Sequence, residues 1–166
     1  MDLLHYFDPV DFDKFEPVDW ANQKYTLGTL LRKNQEKLKP EKADLVIIGV
    51  GEDRNSIMPG AGKAPDEIRE QLYNLNRIGP RFKVLDLGNL KIGHTANDSY
   101  FALRDVCEHI LENHQTLVVL GGSQDLTFGM TKAFEGRLFN MATVDPKFDF
   151  KKGVKNINSD NYLNLI

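Results

Sequence analysis

The chain has 166 residues, of which 41% are hydrophobic and 27% charged, with 21 Lys and Arg against 24 Asp and Glu for a net charge of -3. That size suits one domain with a core of its own and excludes a low-hydrophobicity disordered chain. The acidic balance argues against a nucleic-acid binder driven by electrostatics, and no apolar stretch approaches the ~20 residues of a membrane span. The first 20 residues mix Asp2, Asp8, Asp11, Asp13, Glu16 and Asp19 with Tyr6, Phe7, Phe12, Phe15 and Trp20. They lack the basic and apolar regions of a secretory signal and read as an arm that packs aromatics on the body and leaves acids in water; a partner-binding segment is the alternative. The lone Cys107 can make neither an intramolecular disulfide nor a Cys-rich zinc site, so a reducing, cytoplasmic setting is expected.

Leu27, Leu30 and Leu31 have helical spacing within 21–39, and Pro40 follows, which predicts a short amphipathic helix. Residues 43–51 are a continuous apolar run ending in glycines, as expected of a strand buried on both faces. A Gly- and Pro-rich loop spans 52–65. A helix is expected over 66–73, with acids in its first turn. Residues 82–88 predict a second strand and 100–114 a helix with Leu103, Val106, Cys107, Ile110 and Leu111 on one face. A third strand is expected over 116–120, a helix over 126–134, and a fourth strand over Leu138–Val144. Strands alternating with helices imply an α/β domain with a mainly parallel sheet. Function in such folds gathers at the C-terminal strand ends. This places the interest in 49–65, 86–98, 121–125 and 145–150. The chain thus divides into an arm and short helix over 1–42, the α/β domain over 43–150, and a polar tail over 151–166. The tail's apolar ending at Leu163, Leu165 and Ile166 suggests that it leads into a further C-terminal part; docking on the body is the alternative.

Gly49-Val50-Gly51 begins like a dinucleotide loop, but Arg54 stands where the third glycine belongs. Gly62-Lys63 lacks the remainder of a phosphate-binding loop. His5, His94, His109 and His114 are scattered and read as surface or capping residues.

Four segments carry more information together. They are Val46–Val50 with Pro59-Gly60-Ala61-Gly62-Lys63-Ala64-Pro65-Asp66-Glu67-Ile68-Arg69, then Asp86-Leu87-Gly88, then Gly121-Gly122-Ser123-Gln124-Asp125-Leu126-Thr127-Phe128-Gly129, and finally Asp145-Pro146-Lys147-Phe148-Asp149. In this order and spacing, over about 44–150, the chain resembles the ureohydrolase superfamily of arginase, agmatinase and formimidoylglutamase. The resemblance implies a three-layer α/β/α, arginase-like fold, here incomplete, and a binuclear manganese centre whose bridging water attacks a guanidino or formimino carbon. It also implies that Pro59, Gly60 and Gly62 shape a loop near substrate, although an ordinary surface loop is the alternative.

In the family the glycine-pair segment reads Gly-Gly-Asp-His-Ser, and the next reads Asp-Ala-His-x-Asp. Asp145 and Asp149 match the carboxylate positions. Gln124 and Lys147 stand where ligand histidines belong, and Ser123 and Asp125 replace the flanking acid and serine. The family's later Asp-x-Asp has no counterpart, since the only acid after Asp149 is Asp160. A glutamine carbonyl replaces imidazole poorly on manganese, and a lysine ammonium has no lone pair. The expectation is therefore a degenerate site without metal, with Lys147 as internal counter-ion to Asp145 and Asp149, in a protein that binds or scaffolds. Loop capping without a site, and one weakly held metal, remain open at this point. A manganese-dependent hydrolase of a guanidino or formimino C–N bond within a longer chain is the alternative function. Expected partners are further copies of the chain, through apolar surface, and neither nucleic acid nor membrane.

Overall fold

A computed structural model describes residues 2–15, 25–77, 79, 82–152 and 155–166. Three parallel strands form the centre: β2 (Leu45–Val50), β3 (Val84–Leu90) and β4 (Thr116–Gly121), joined by a short antiparallel β1 (Phe7–Asp8) in the order β1-β3-β2-β4. Helix α1 (Leu27–Lys37) precedes β2, α2 (Ala64–Leu72) links β2 to β3, α3 (Ala96–Glu112) links β3 to β4, and α4 (Leu126–Lys132) follows β4. The expected α/β architecture with a mainly parallel sheet is present. Two apolar layers lie on its faces. Leu27 and Leu31 of α1, with Tyr73, cover Ile47, Val84 and Leu120. Tyr100, Leu103, Val106, Cys107 and Ile110 of α3, with Leu126, cover Val46, Ile48, Val50, Leu85 and Leu87.

Local chemistry starts and stops the helices. Thr26 caps α1, accepting from Thr29 N at 3.3 Å. Thr95 and Asp98 form a reciprocal capping box on α3, and His114, at φ 57°, lies just beyond its end. Pro65 sits in the first turn of α2, where its missing N–H is no loss. Burial pushes the Cys107 thiol up to about 12, which makes it an inert core residue.

The arm behaves as its composition suggests over 2–15. Phe7 is buried as part of β1, a pairing that the sequence pattern does not announce because only two residues take part. Phe12 stacks on Tyr73 at 5.5 Å, and Phe15 meets the same ring edge-on at 5.1 Å. Residues 16–24, including Trp20, lie outside the described residues. Gly88 makes room for β1. It has φ 96°, and a Cβ there would lie 2.0 Å from Asp8 O. The register between β2 and β3 slips around this glycine, from Ile47 opposite Asp86 to Gly49 opposite Asn89.

The expected strand over Leu138–Val144 does not form. Both end residues are fully exposed, and the whole segment is irregular. A strand of this fold needs a ladder on one side and helices over its faces. Among the described residues after α4 there is no further α-helix to cover it. The tail docks on the body: Ser159 N donates to Asn55 O at 3.1 Å, Ile57 N donates to Ser159 Oγ at 3.1 Å, and Tyr162 is buried.

Arg69 and Asp86, each 1% exposed, tie α2 to β3. Arg69 Nε and Nη2 donate to the two Asp86 oxygens at 3.0 and 2.9 Å, and Nη2 also donates to Gly88 O at 3.0 Å. Nη1 reaches Asp66 Oδ1 at 3.0 Å and Asn89 Oδ1 at 2.5 Å. Tyr73 OH and Gly88 N complete the shell of Asp86 at 2.8 and 2.9 Å. Burial opposes the charge on Arg69, but the bonds to Asp86 outweigh it and hold the guanidinium above its ordinary pKa. Removing one partner leaves the other charge buried and alone. Arg69→Met should therefore destabilise by about 3–5 kcal/mol in urea unfolding, and Arg69→Met with Asp86→Leu should recover much of that loss. A loss below about 1 kcal/mol for the single variant would show that the pair does not hold the two elements together.

Candidate metal centre

The C-terminal ends of β2 and β4 are brought together by backbone. Ser123 N donates to Glu52 O at 2.9 Å. The approach is close enough that a Cβ on Gly122 would lie 2.4 Å from Glu52 O, so the glycine pair after β4 has a steric reason.

Glu52, 1% exposed, organises the mouth. Arg54 binds its carboxylate through Nε at 2.9 Å, through backbone N at 3.0 Å, and by a further close Nη2 contact. Ser99 Oγ donates to Glu52 Oε2 at 2.8 Å. Arg54 then reaches across to His94 O at 2.6 Å and Gly93 O at 3.0 Å, pinning the loop after β3 to the loop after β2. Burial alone would raise the Glu52 pKa, but the hydrogen bonds from Arg54 and Ser99 prevail and hold it below the ordinary value. Glu52 and Ser99 were not singled out from the sequence, and Arg54 only as the residue that breaks a dinucleotide-loop pattern. The usable signal was an acid directly after Gly51, the residue that follows β2.

Ser123 and Asp125 face inwards, and Gln124 between them faces out. Ser123 Oγ and Tyr100 OH each donate to a different oxygen of the fully buried Asp125, and Asn55 Nδ2 donates to Tyr100 OH at 2.8 Å. Burial first, then the bond to Asp125, raises the Tyr100 phenol well above its ordinary value. This network holds the peptide of Gln124 at the start of α4.

The structure brings Gln124 to Asp145. Gln124 Nε2 donates to Asp145 Oδ2, and the backbone N of Lys147 donates to Asp145 Oδ1 at 2.8 Å. Asp149 is buried, and its Oδ2 has no hydrogen-bond partner. Burial, then Asp145 and Asp160, raise the Asp149 pKa against a smaller opposing effect of Lys147. The expected counter-ion geometry is not found. Lys147 is exposed and forms none of the ion pairs within 4.0 Å among the described residues, because its backbone, not its ammonium, serves Asp145.

The loop of Pro59, Gly60 and Gly62 is folded onto Asp53. Gly60 N and Gly62 N donate to Asp53 Oδ2 at 3.2 and 2.9 Å, and Pro59 is exposed. None of the three is bonded to Gln124, Asp145 or Asp149.

These residues do not fit a binuclear manganese centre. Two hard divalent ions need several anionic oxygens and imidazoles. Both Asp145 oxygens already accept N–H donors, Gln124 presents its amide N–H to the carboxylate, and the one orphaned oxygen is Asp149 Oδ2. No group of three or more His, Cys, Asp or Glu side chains is placed to hold an ion among the described residues.

A family model described as the arginase family matches residues 43–152. The chain belongs to the arginase family. It is similar to mouse mitochondrial guanidino acid hydrolase, 31% identical over 57% of this chain and 29% of that protein. It is also similar to formimidoylglutamase of Salmonella arizonae, 25% identical over 84% of this chain and 41% of that protein. Among solved structures, formiminoglutamase of Trypanosoma cruzi with Mn2+ superposes at TM-score 0.71 with 22% identity, over 84% of this chain and 51% of that one. Agmatine ureohydrolase of Thermoplasma volcanium superposes at 0.61 with 23% identity, over 76% of this chain and 45% of that one. These structural likenesses establish the shared fold. The chain spans about a third of the curated relatives and about half of the solved structures that it matches.

Glu52 supplies a pH-dependent prediction. Its folded pKa lies below the ordinary value of 4.5, so its contribution to stability is present above that value and is lost as pH falls through the folded one. Glu52→Gln should lower stability at pH 7, and the gap to the unmodified chain should narrow as the pH falls below 4.5. Urea unfolding at a series of pH values checks this; a gap independent of pH would contradict it.

Proposed function

We propose that this chain is an arginase-family domain without a metal centre, acting as a binding or scaffold module in a reducing, cytoplasmic setting. The observation that carries the reading is the pairing of the Gln124 amide with Asp145 where the family resemblance puts an imidazole and a metal-binding carboxylate. A hydrolytic water needs a Lewis acid to lower its pKa, and this donor set offers one free buried carboxylate oxygen and an exposed lysine.

A second reading has one observation in its favour. Asp149 Oδ2 is a buried acceptor with no hydrogen-bond partner, a need that a bound cation would meet. Under that reading the chain contributes part of a manganese-dependent hydrolase of a guanidino or formimino C–N bond, with the remaining ligands supplied by further sequence.

The scaffold reading also accounts for the surface. β4 ends the sheet with an edge that carries no charge and no proline, the features that ordinarily guard an edge. Leu138, Val144 and Phe148 are 106%, 104% and 87% exposed in the segment after α4. Such surface supports self-association of the chain, with nucleic acid and membrane not involved.

Calorimetric titration of the metal-stripped chain with manganese at neutral pH should show no stoichiometric binding. Gln124→His with Lys147→His should then raise manganese affinity by about tenfold or more, since imidazole replaces an amide and an ammonium. Two ions bound per unmodified chain would sink the metal-free reading and favour the hydrolase. Light scattering should give a mass that rises with concentration, and Leu138→Lys with Val144→Lys should return the chain to a monomer; a monomer at every concentration would remove the self-association proposal.

A further inference from the structure

The tail is bonded mainly to itself. Asn158 N donates to Asn161 Oδ1 at 2.8 Å, Asn161 Nδ2 donates to Asn156 O at 2.9 Å, and Asp160 N donates to Asn158 Oδ1 at 2.9 Å. Lys151 N donates to Asp160 O at 3.0 Å, and Asn164 Nδ2 donates to Lys151 O at 3.2 Å, which closes the unit. It meets the body at fewer points. Ser159 shares two hydrogen bonds with the loop after β2, through Asn55 O and Ile57 N. Ile157 packs at the margin of the apolar layer under α3. Tyr162, 4% exposed, packs towards α4 and Asp149.

Asp149 makes this docking a balance of opposed effects. Its Oδ2 is buried and accepts no hydrogen bond. Asp160 and Tyr162 of the docked tail both lie within electrostatic reach of it. A carboxylate oxygen without a partner is costly in a dry site and is satisfied at once by water. Docking therefore gains the apolar contacts of Ile157 and Tyr162 and loses the hydration of Asp149. When the tail leaves the body, that hydration returns, and the bonds inside the tail have no reason to break.

We propose that residues 156–164 are a lid on the strand-end mouth, which lifts from the loop after β2 as one unit while the sheet stays folded, and that the unpaired Asp149 beneath it biases the lid towards opening. The apolar contacts close the lid, the buried carboxylate opposes them, and the internal hydrogen bonds keep its shape in both positions. Local release of this kind belongs to segments with few contacts to the core.

Ile57 N reports the lid from the body side, because it belongs to the loop after β2 but its acceptor is Ser159 Oγ. Native-state hydrogen exchange on the full, metal-stripped chain should give Ile57 and Ser159 one common opening equilibrium, at least about tenfold more open than Val46 and Ile48 of β2. Asp149→Leu should reduce opening at both amides by about tenfold, the effect of removing one unpaired buried carboxylate. Asp149→Asn, which keeps the shape and removes the charge, should reduce it by a smaller factor. Tyr162→Ala should raise opening at both amides by about tenfold or more. Protection of Ile57 and Ser159 equal to that of β2 would overturn the proposal. So would separate opening equilibria at the two amides, or Asp149 variants that open as readily as the unmodified chain.

Discussion

The Arg69–Asp86 pair is the constraint from which the arrangement of the strand ends follows. A guanidinium and a carboxylate buried together must satisfy every polar atom they bring, and here each bond recruits another segment. Asp86 takes Gly88 N and Tyr73 OH, while Arg69 takes Gly88 O, Asn89 and Asp66. The bulge at Gly88 is thereby set, and with it the opening through which β1 approaches. Tyr73 carries the same constraint outward, because Phe12 and Phe15 of the arm pack on its ring. The arm, α2 and β3 form one closed circuit of packing and hydrogen bonds around a single ion pair.

The opposite side of the strand ends has a comparable frame with a different chemical content. Glu52 with Arg54 and Ser99, and Asp125 with Ser123, Tyr100 and Asn55, hold three loops in place. The frame presents Gln124 and Asp145 to each other, and the Gln124 amide donates to the carboxylate. The frame and the chemistry of the side chains it presents are separable. The first depends on buried hydrogen bonds that the fold cannot lose cheaply, the second on the exposed Gln124 and the half-buried Asp145.

Much of this was legible from residue pattern. The apolar runs at 45–50 and 116–121, and the largely apolar run at 84–90, have the length and composition of strands in a parallel sheet. The periodicity of Leu103, Val106, Cys107 and Ile110 specified the buried face of α3. The segment at 138–144 failed because a strand is defined by its neighbours: its apolar content was right, but the ladder and covering helix are absent among the described residues. The two-residue β1 failed in the opposite sense, being too short to show any period.

By itself the sequence determined the fold class and the family, because periodicity, glycine placement and side-chain chemistry are local properties. Only the tertiary structure decided which polar groups meet. It gave the Asp145 carboxylate to Gln124 and to a backbone N–H, and left Lys147 in solvent. It turned Glu52 and Arg54 into a clamp between two loops and left Gln35 Oε1 without a donor. Hydrogen bonding and burial depend on atoms brought together from distant points of the chain, and a linear pattern carries no record of those distances.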